Sequence, residues 1–110
     1  MGRLVLRPMF VGLDELERLY REGGPVQLDR ACEPLVAQAA ARIAQAAAGQ
    51  DAVYGVNTGF GKLASVKVAP KDTAQLQRNL ILSHCCGVGA PVPEAVVRLM
   101  MVLKLISFGR

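Results

Sequence analysis

The sequence predicts a mainly α-helical domain, and three observations carry that reading. Leucines recur at helical spacing in "LDELERLYRE", residues 13–22. An alanine-rich run, "PLVAQAAARIAQAAAGQ", proceeds to a glycine stop, and "PEAVVRLMMVLKLISFGR" is apolar on nearly every face. One stretch resists this pattern. "VYGVNTGFGKLASV", Val53 to Val66, places Gly55, Gly59 and Gly61 within seven positions behind a single tyrosine, Tyr54. Each glycine adds unfolded-state entropy that folding must overcome, so a loop built this way is ordered for a reason.

In the first helix Leu13, Leu16, Leu19 and Tyr20 share a face, Asp14 and Glu15 sit at the positive end of the dipole, and Gly23-Gly24-Pro25 ends it. Asp29 is placed to cap a second helix with Pro34 in its first turns and Gly49 at its end. Its apolar line of Leu35, Ala39, Ile43 and Ala47 permits close approach by other helices. After the glycine loop, "SVKVAP" alternates weakly and reads as a short strand or extended arm before Pro70. Asp72 or Thr73 then caps "TAQLQRNLILSHCC", with Leu76, Leu80 and His84 on one stripe and Gly87 closing it. His84, the only histidine, falls in the last turn beside unpaired carbonyls. Pro93 and Glu94 open the final helix, whose all-round apolar surface belongs inside a larger assembly.

Composition excludes several classes. The chain has 110 residues, 52% of them hydrophobic, which fits one small domain, here read as a single incomplete one over residues 1–110. The net charge of +4 comes from scattered Lys and Arg, and the chain has no Trp, so neither a basic stripe nor stacking aromatics point to nucleic acid. Arg98 and Lys104 interrupt the longest apolar run, which is too short for a membrane span. Three cysteines do not make a disulfide framework and suit a reducing compartment, so the cytoplasm is expected. Arg7 and Pro8 break the N-terminal apolar run against a signal peptide, and Leu6 stands where a myristoylation signal carries Ser or Thr.

The glycine loop does not match the phosphate-binding motifs. A P-loop fails twice: Val56 occupies its first glycine position and Leu63 its hydroxyl position. Gly59-Phe60-Gly61-Lys62-Leu63-Ala64 fits G-x-G-x-x-A, but no clear strand precedes it, Pro70 interrupts the segment after it, and no acidic residue stands about 20 positions on. His84, Cys85 and Cys86 do not form a metal site, because consecutive helical residues point about 100° apart. Cys85 and Cys86 read better as buried small hydrophobes.

The blocks "VYGVNTGFGKLASV" and "LQRNLILSHCCGVGAPVPEAVVRLMMVLK", in this order and at this separation, resemble the N-terminal portion of the aromatic amino acid ammonia-lyases, most closely the histidine-specific members. The resemblance extends from the first helix onward. It implies the helical N-terminal part of a homotetrameric fold built on long central helices, and the elimination of ammonia from L-histidine to give trans-urocanate. It also implies an electrophile, a methylidene-imidazolone made by self-cyclisation of an internal Ala-Ser-Gly. Within it Tyr54 matches the loop tyrosine taken as acid/base, and Ser83-His84 stands where the family reads the substrate side chain. Histidine-specific members carry Ser-His there; the tyrosine and phenylalanine enzymes carry His-Leu or Phe-Leu.

Gly55, Gly59 and Gly61 are read as hinges of the loop that carries Tyr54, and Asn57 and Thr58 as turn-formers whose polar groups the loop can bring near substrate. Chemically, the elimination needs a positioned base and a way to turn the amine into a leaving group. A phenol is a poor base near pH 7 without help from its site. An imidazole side chain such as His84 can bond an imidazole ligand through either ring nitrogen.

The chain departs from the family pattern in two respects. It holds no Ala-Ser-Gly; the nearest string is Ala64-Ser65-Val66. The cofactor and the carboxylate-binding residues are therefore expected outside this sequence, as in a fragment or truncated reading frame, and catalysis by these residues alone is not expected. Cys85-Cys86 replaces a small Ala-Ala pair, adding bulk and thiol chemistry near the substrate. A second reading from another class is a non-catalytic helical module that self-associates, or pairs with other lyase segments, through Val96 to Phe108.

Overall fold

A computed structural model describes residues 2–110. Among them the elements are β1 (Leu4–Leu6), α1 (Leu13–Glu22), β2 (Val26–Leu28), α2 (Glu33–Ala48), α3 (Thr73–His84) and α4 (Glu94–Phe108). The fold is mainly helical, as expected. The chain divides into two compact units, one made of the segment up to Gln38 with Ala90–Arg110, the other of Ala39–Gly89.

In the first unit β1 and β2 pair in parallel, Leu4 with Val26, Val5 with Gln27 and Leu6 with Leu28. Two backbone bonds extend the ladder: Leu4 N–H donates to Pro25 O at 3.0 Å and Asp29 N–H to Leu6 O at 2.8 Å. The parallel arrangement follows from α1, which returns the chain between the strands. Burying α1 against α4 leaves Leu6, Leu19, Val102 and Ile106 as the core, with Leu4, Val11, Leu16, Val26 and Leu28 packed around it. Val102 and Ile106 are spaced by four on α4 and so share one stripe.

The expected apolar lines are only partly inward. Leu13 is 82% exposed and Tyr20 also faces solvent, so Leu16 and Leu19 alone of the first-helix set turn inward. α2 buries none of its residues, and Leu35 and Ile43 are exposed. α4 covers one stripe while Met100, Met101, Leu103 and Phe108 stay exposed. None of the described helices is long and apolar enough to cross a membrane.

The boundaries report their local causes. Asp29 accepts the Ala31 N–H at 3.0 Å and caps a 3-10 turn, Arg30–Cys32, that leads into α2. The Gly49 N–H closes α2 on Ala46 O at 3.1 Å. α3 stops sooner than expected: the Cys85 N–H caps Ile81 O at 3.0 Å, so the helix ends at His84 and not at Gly87. Cys85 and Cys86 consequently lie on the exit from the helix and are exposed, which corrects the expectation that they pack as buried hydrophobes. Cys32 is the buried cysteine.

Candidate active site

The site lies within the second unit, where the glycine loop meets the C-terminal end of α3. The loop is ordered from inside. Val56 and Asn57 N–H groups both donate to Val53 O, at 3.0 and 3.3 Å, which wraps the chain into a turn directly around Tyr54. Asn57 sits in the middle of that turn, fully buried. Its Oδ1 accepts the Val53 N–H at 2.8 Å, and its Nδ2 donates to Asp51 O at 3.0 Å. Thr58, equally buried, accepts the Gly55 N–H at 3.2 Å and donates to Gly59 O at 3.0 Å. A buried polar group is tolerated only when so paired.

The far side of the loop is tied back as well. The expected extended segment reduces to one antiparallel bridge, Thr58 with Lys67, beside a bond from Val68 N–H to Asn57 O at 2.7 Å. Lys67 Nζ then donates to Gly49 O at 2.7 Å and covers an end carbonyl of α2. Asn57 and Thr58 thus spend their polar groups inside the loop, and what they supply is bracing.

Two glycines have identifiable physical duties. Gly55 has φ +70°, and a Cβ there would lie 2.9 Å from Phe60 Cε1, so a side chain would both strain the backbone and displace the ring. At Gly59 a Cβ would stand 2.9 Å from Leu63 Cβ, against the 3-10 turn Gly61–Leu63. Gly61, at φ +58°, opens onto free space.

With the loop fixed, Tyr54 projects outward, 63% exposed. Its ring lies 5.6 Å from the Phe60 ring at an interplanar angle of 44°. Phe60 in turn meets His84 edge-on, 5.3 Å between centroids at 74°, a favourable geometry for aromatic pairs. Tyr54 and His84 therefore each lie against the same phenylalanine. Phe60 has no counterpart among the residues the sequence marks, because a lone Phe between glycines carries no signal of its own.

Ser83 and His84 are held by their own helix. Ser83 Oγ donates to Leu80 O at 3.1 Å and lies 3.0 Å from His84 Nδ1. His84 Nδ1 is 2.7 Å from the same Leu80 carbonyl. A carbonyl only accepts, so Nδ1 carries a proton, and Nε2 is the nitrogen left to meet a ligand. Among the described residues no group of three or more His, Cys, Asp or Glu is placed to hold a metal ion.

The arrangement sets a phenol and an imidazole each against Phe60 of a braced loop. The family model for the aromatic amino acid lyases matches residues 11–110. The chain belongs to the aromatic amino acid lyase family. Membership carries ammonia-lyase chemistry in general, and the family generally depends on a methylidene-imidazolone.

The residues present do not fit the formation of that group. In Ala64-Ser65-Val66 the third position carries a β-branched side chain where Ala-Ser-Gly has none, and the Val66 N–H donates to Leu63 O at 3.1 Å. That nitrogen is committed to a turn and crowded by its own side chain.

Proposed function

We propose that this chain carries the acid/base and substrate-reading residues of a histidine-specific ammonia-lyase, which converts L-histidine to trans-urocanate and ammonia. The observation that carries the reading is the Tyr54–Phe60–His84 arrangement, with ring centroids 5.6 and 5.3 Å apart in succession. It supports the reading because the phenol and the imidazole both contact one ring of the same loop, Phe60. Tyr54 takes the role of acid/base at the carbon next to the substrate imidazole, and Ser83-His84 that of recognising the imidazole itself.

The chemistry of recognition is specific. With Nδ1 directed at Leu80 O, Nε2 is the ring nitrogen of His84 that can accept a hydrogen bond from a substrate ring N–H. Leu at this position offers only contact area. A site built around such a bond discriminates against substrates that cannot make it, because the polar group is then left unpaired. The electrophile that turns the amine into a leaving group comes from residues other than these, since Ala64-Ser65-Val66 does not fit it.

The test is a specificity measurement on a cofactor-bearing lyase built to carry this sequence. His84→Leu is expected to lower kcat/KM for L-histidine by about ten- to a hundredfold, the equivalent of one lost hydrogen bond in a site. Relative activity on L-tyrosine or L-phenylalanine is expected to rise. An unchanged ratio between these substrates would remove His84 from recognition and the histidine assignment with it.

A further inference from the structure

Gln77 stands on α3 two helical turns before His84, half-buried, and reaches out of its helix to the glycine loop. Its Nε2 donates to Gly55 O at 2.7 Å and to Val56 O at 2.9 Å. Both partners are carbonyls, so the amide nitrogen and not its oxygen must face them. These carbonyls belong to the two residues directly after Tyr54.

The contact differs in kind from the other bonds of the loop. Asn57, Thr58 and Lys67 tie the loop to itself and to Gly49. Among the described residues, Gln77 is the one side chain that hydrogen-bonds the loop to α3, the helix that carries Ser83 and His84. The internal network therefore sets the shape of the loop, and Gln77 sets its register against the helix.

We propose that Gln77 is a positioning residue for the elimination, holding Tyr54 at its working distance from a substrate seated at His84. The proposal rests on the reading of Tyr54 as the acid/base group. A displacement of about 1 Å at a reacting group costs up to about a hundredfold in rate. Loss of the clamp moves Tyr54 and leaves Ser83 and His84 on their helix, so kcat changes and KM does not.

The experiment uses a cofactor-bearing lyase built to carry this sequence, assayed on whichever aromatic amino acid it deaminates fastest. Gln77→Leu is expected to lower kcat between about ten- and a hundredfold with KM within about threefold. Gln75→Leu is the control, because Gln75 bonds only Asn79 on the exposed face of the same helix. Gln77→Glu supplies an answer within one folded protein. Its protonated carboxyl can donate to one loop carbonyl, and its ionised form cannot, so its kcat relative to the parent rises as pH falls towards the carboxylate range.

A Gln77→Leu enzyme with parental kcat, a loss carried wholly by KM, or a Gln77→Glu ratio that is flat with pH would each overturn the proposal. Should Gln77→Leu fail to fold, the Gln77→Glu ratio decides alone. A failure of the histidine assignment shows separately, as a different fastest substrate. A failure of the Tyr54 assignment shows as an active Tyr54→Phe enzyme.

Discussion

Tyr54→Phe, in a cofactor-bearing lyase built to carry this sequence, is expected to lower kcat by about 10²–10⁴-fold, the usual scale for losing a positioned acid/base group. The substitution is clean in structural terms. The ring keeps its place 5.6 Å from Phe60, and Tyr54 is 63% exposed, so removing its hydroxyl orphans no buried group among the described residues. The loop should keep its shape, because the bonds that set it come from Asn57, Thr58 and Lys67. Steady-state kinetics on L-histidine, with a thermal melt alongside, separates the two. A kcat within about threefold of the parent would show that the phenol transfers no proton in the slow step.

Asn57→Ala is expected to destabilise the second unit by about 1–3 kcal/mol, because the part-buried Val53 N–H and Asp51 carbonyl lose the partner that the enclosed amide supplies. The buried amide bonds Val53 N–H and Asp51 O from the centre of the turn, and water cannot easily replace it where the residue is wholly enclosed. Asn79→Ala is the comparison: its amide faces solvent and bonds only Gln75, so a change within about 0.5 kcal/mol is expected. Urea unfolding of the two variants against the parent measures the difference. Equal midpoints for both would mean that the loop is not braced from within.

Much of the helical framework was legible because its causes are local. Gly23-Gly24-Pro25 ends α1, Asp29 and Pro34 introduce α2, Gly49 ends it, and Pro93-Glu94 opens α4, each by backbone chemistry that a sequence displays. The strands were not legible. "LVL" and "VQL" are three residues each, too short for alternation to show, and they exist because parallel pairing across α1 buries Leu6 and Leu28 against α4. The inward faces of α1 and α2 were read too broadly for a related reason. Periodicity marks which residues share a face, and only the packing partner decides how much of that face is covered.

The site shows the same division. Tyr54, Ser83 and His84 came from the family resemblance, and the structure adds that the Tyr54 and His84 rings each lie against Phe60. Phe60 and Gln77 carried no signal, because a shared ring and a clamp are defined by what they touch across some twenty positions of chain. Asn57 and Thr58 were legible as turn residues, yet their complete burial was not, since polar residues between glycines ordinarily face water. Cys85 and Cys86 were misplaced by the assumption that α3 continues to Gly87; its capping at Cys85 puts both thiols outside the helix.

The central claim is that Tyr54 and Ser83-His84 belong to a site that selects an imidazole substrate. It is tested most directly by offering a cofactor-bearing lyase built to carry this sequence an equimolar mixture of L-histidine, L-tyrosine and L-phenylalanine and tracking the three unsaturated acids as they form. Urocanate is expected to accumulate in clear excess from the first turnovers. Coumarate or cinnamate appearing faster than urocanate would contradict the account.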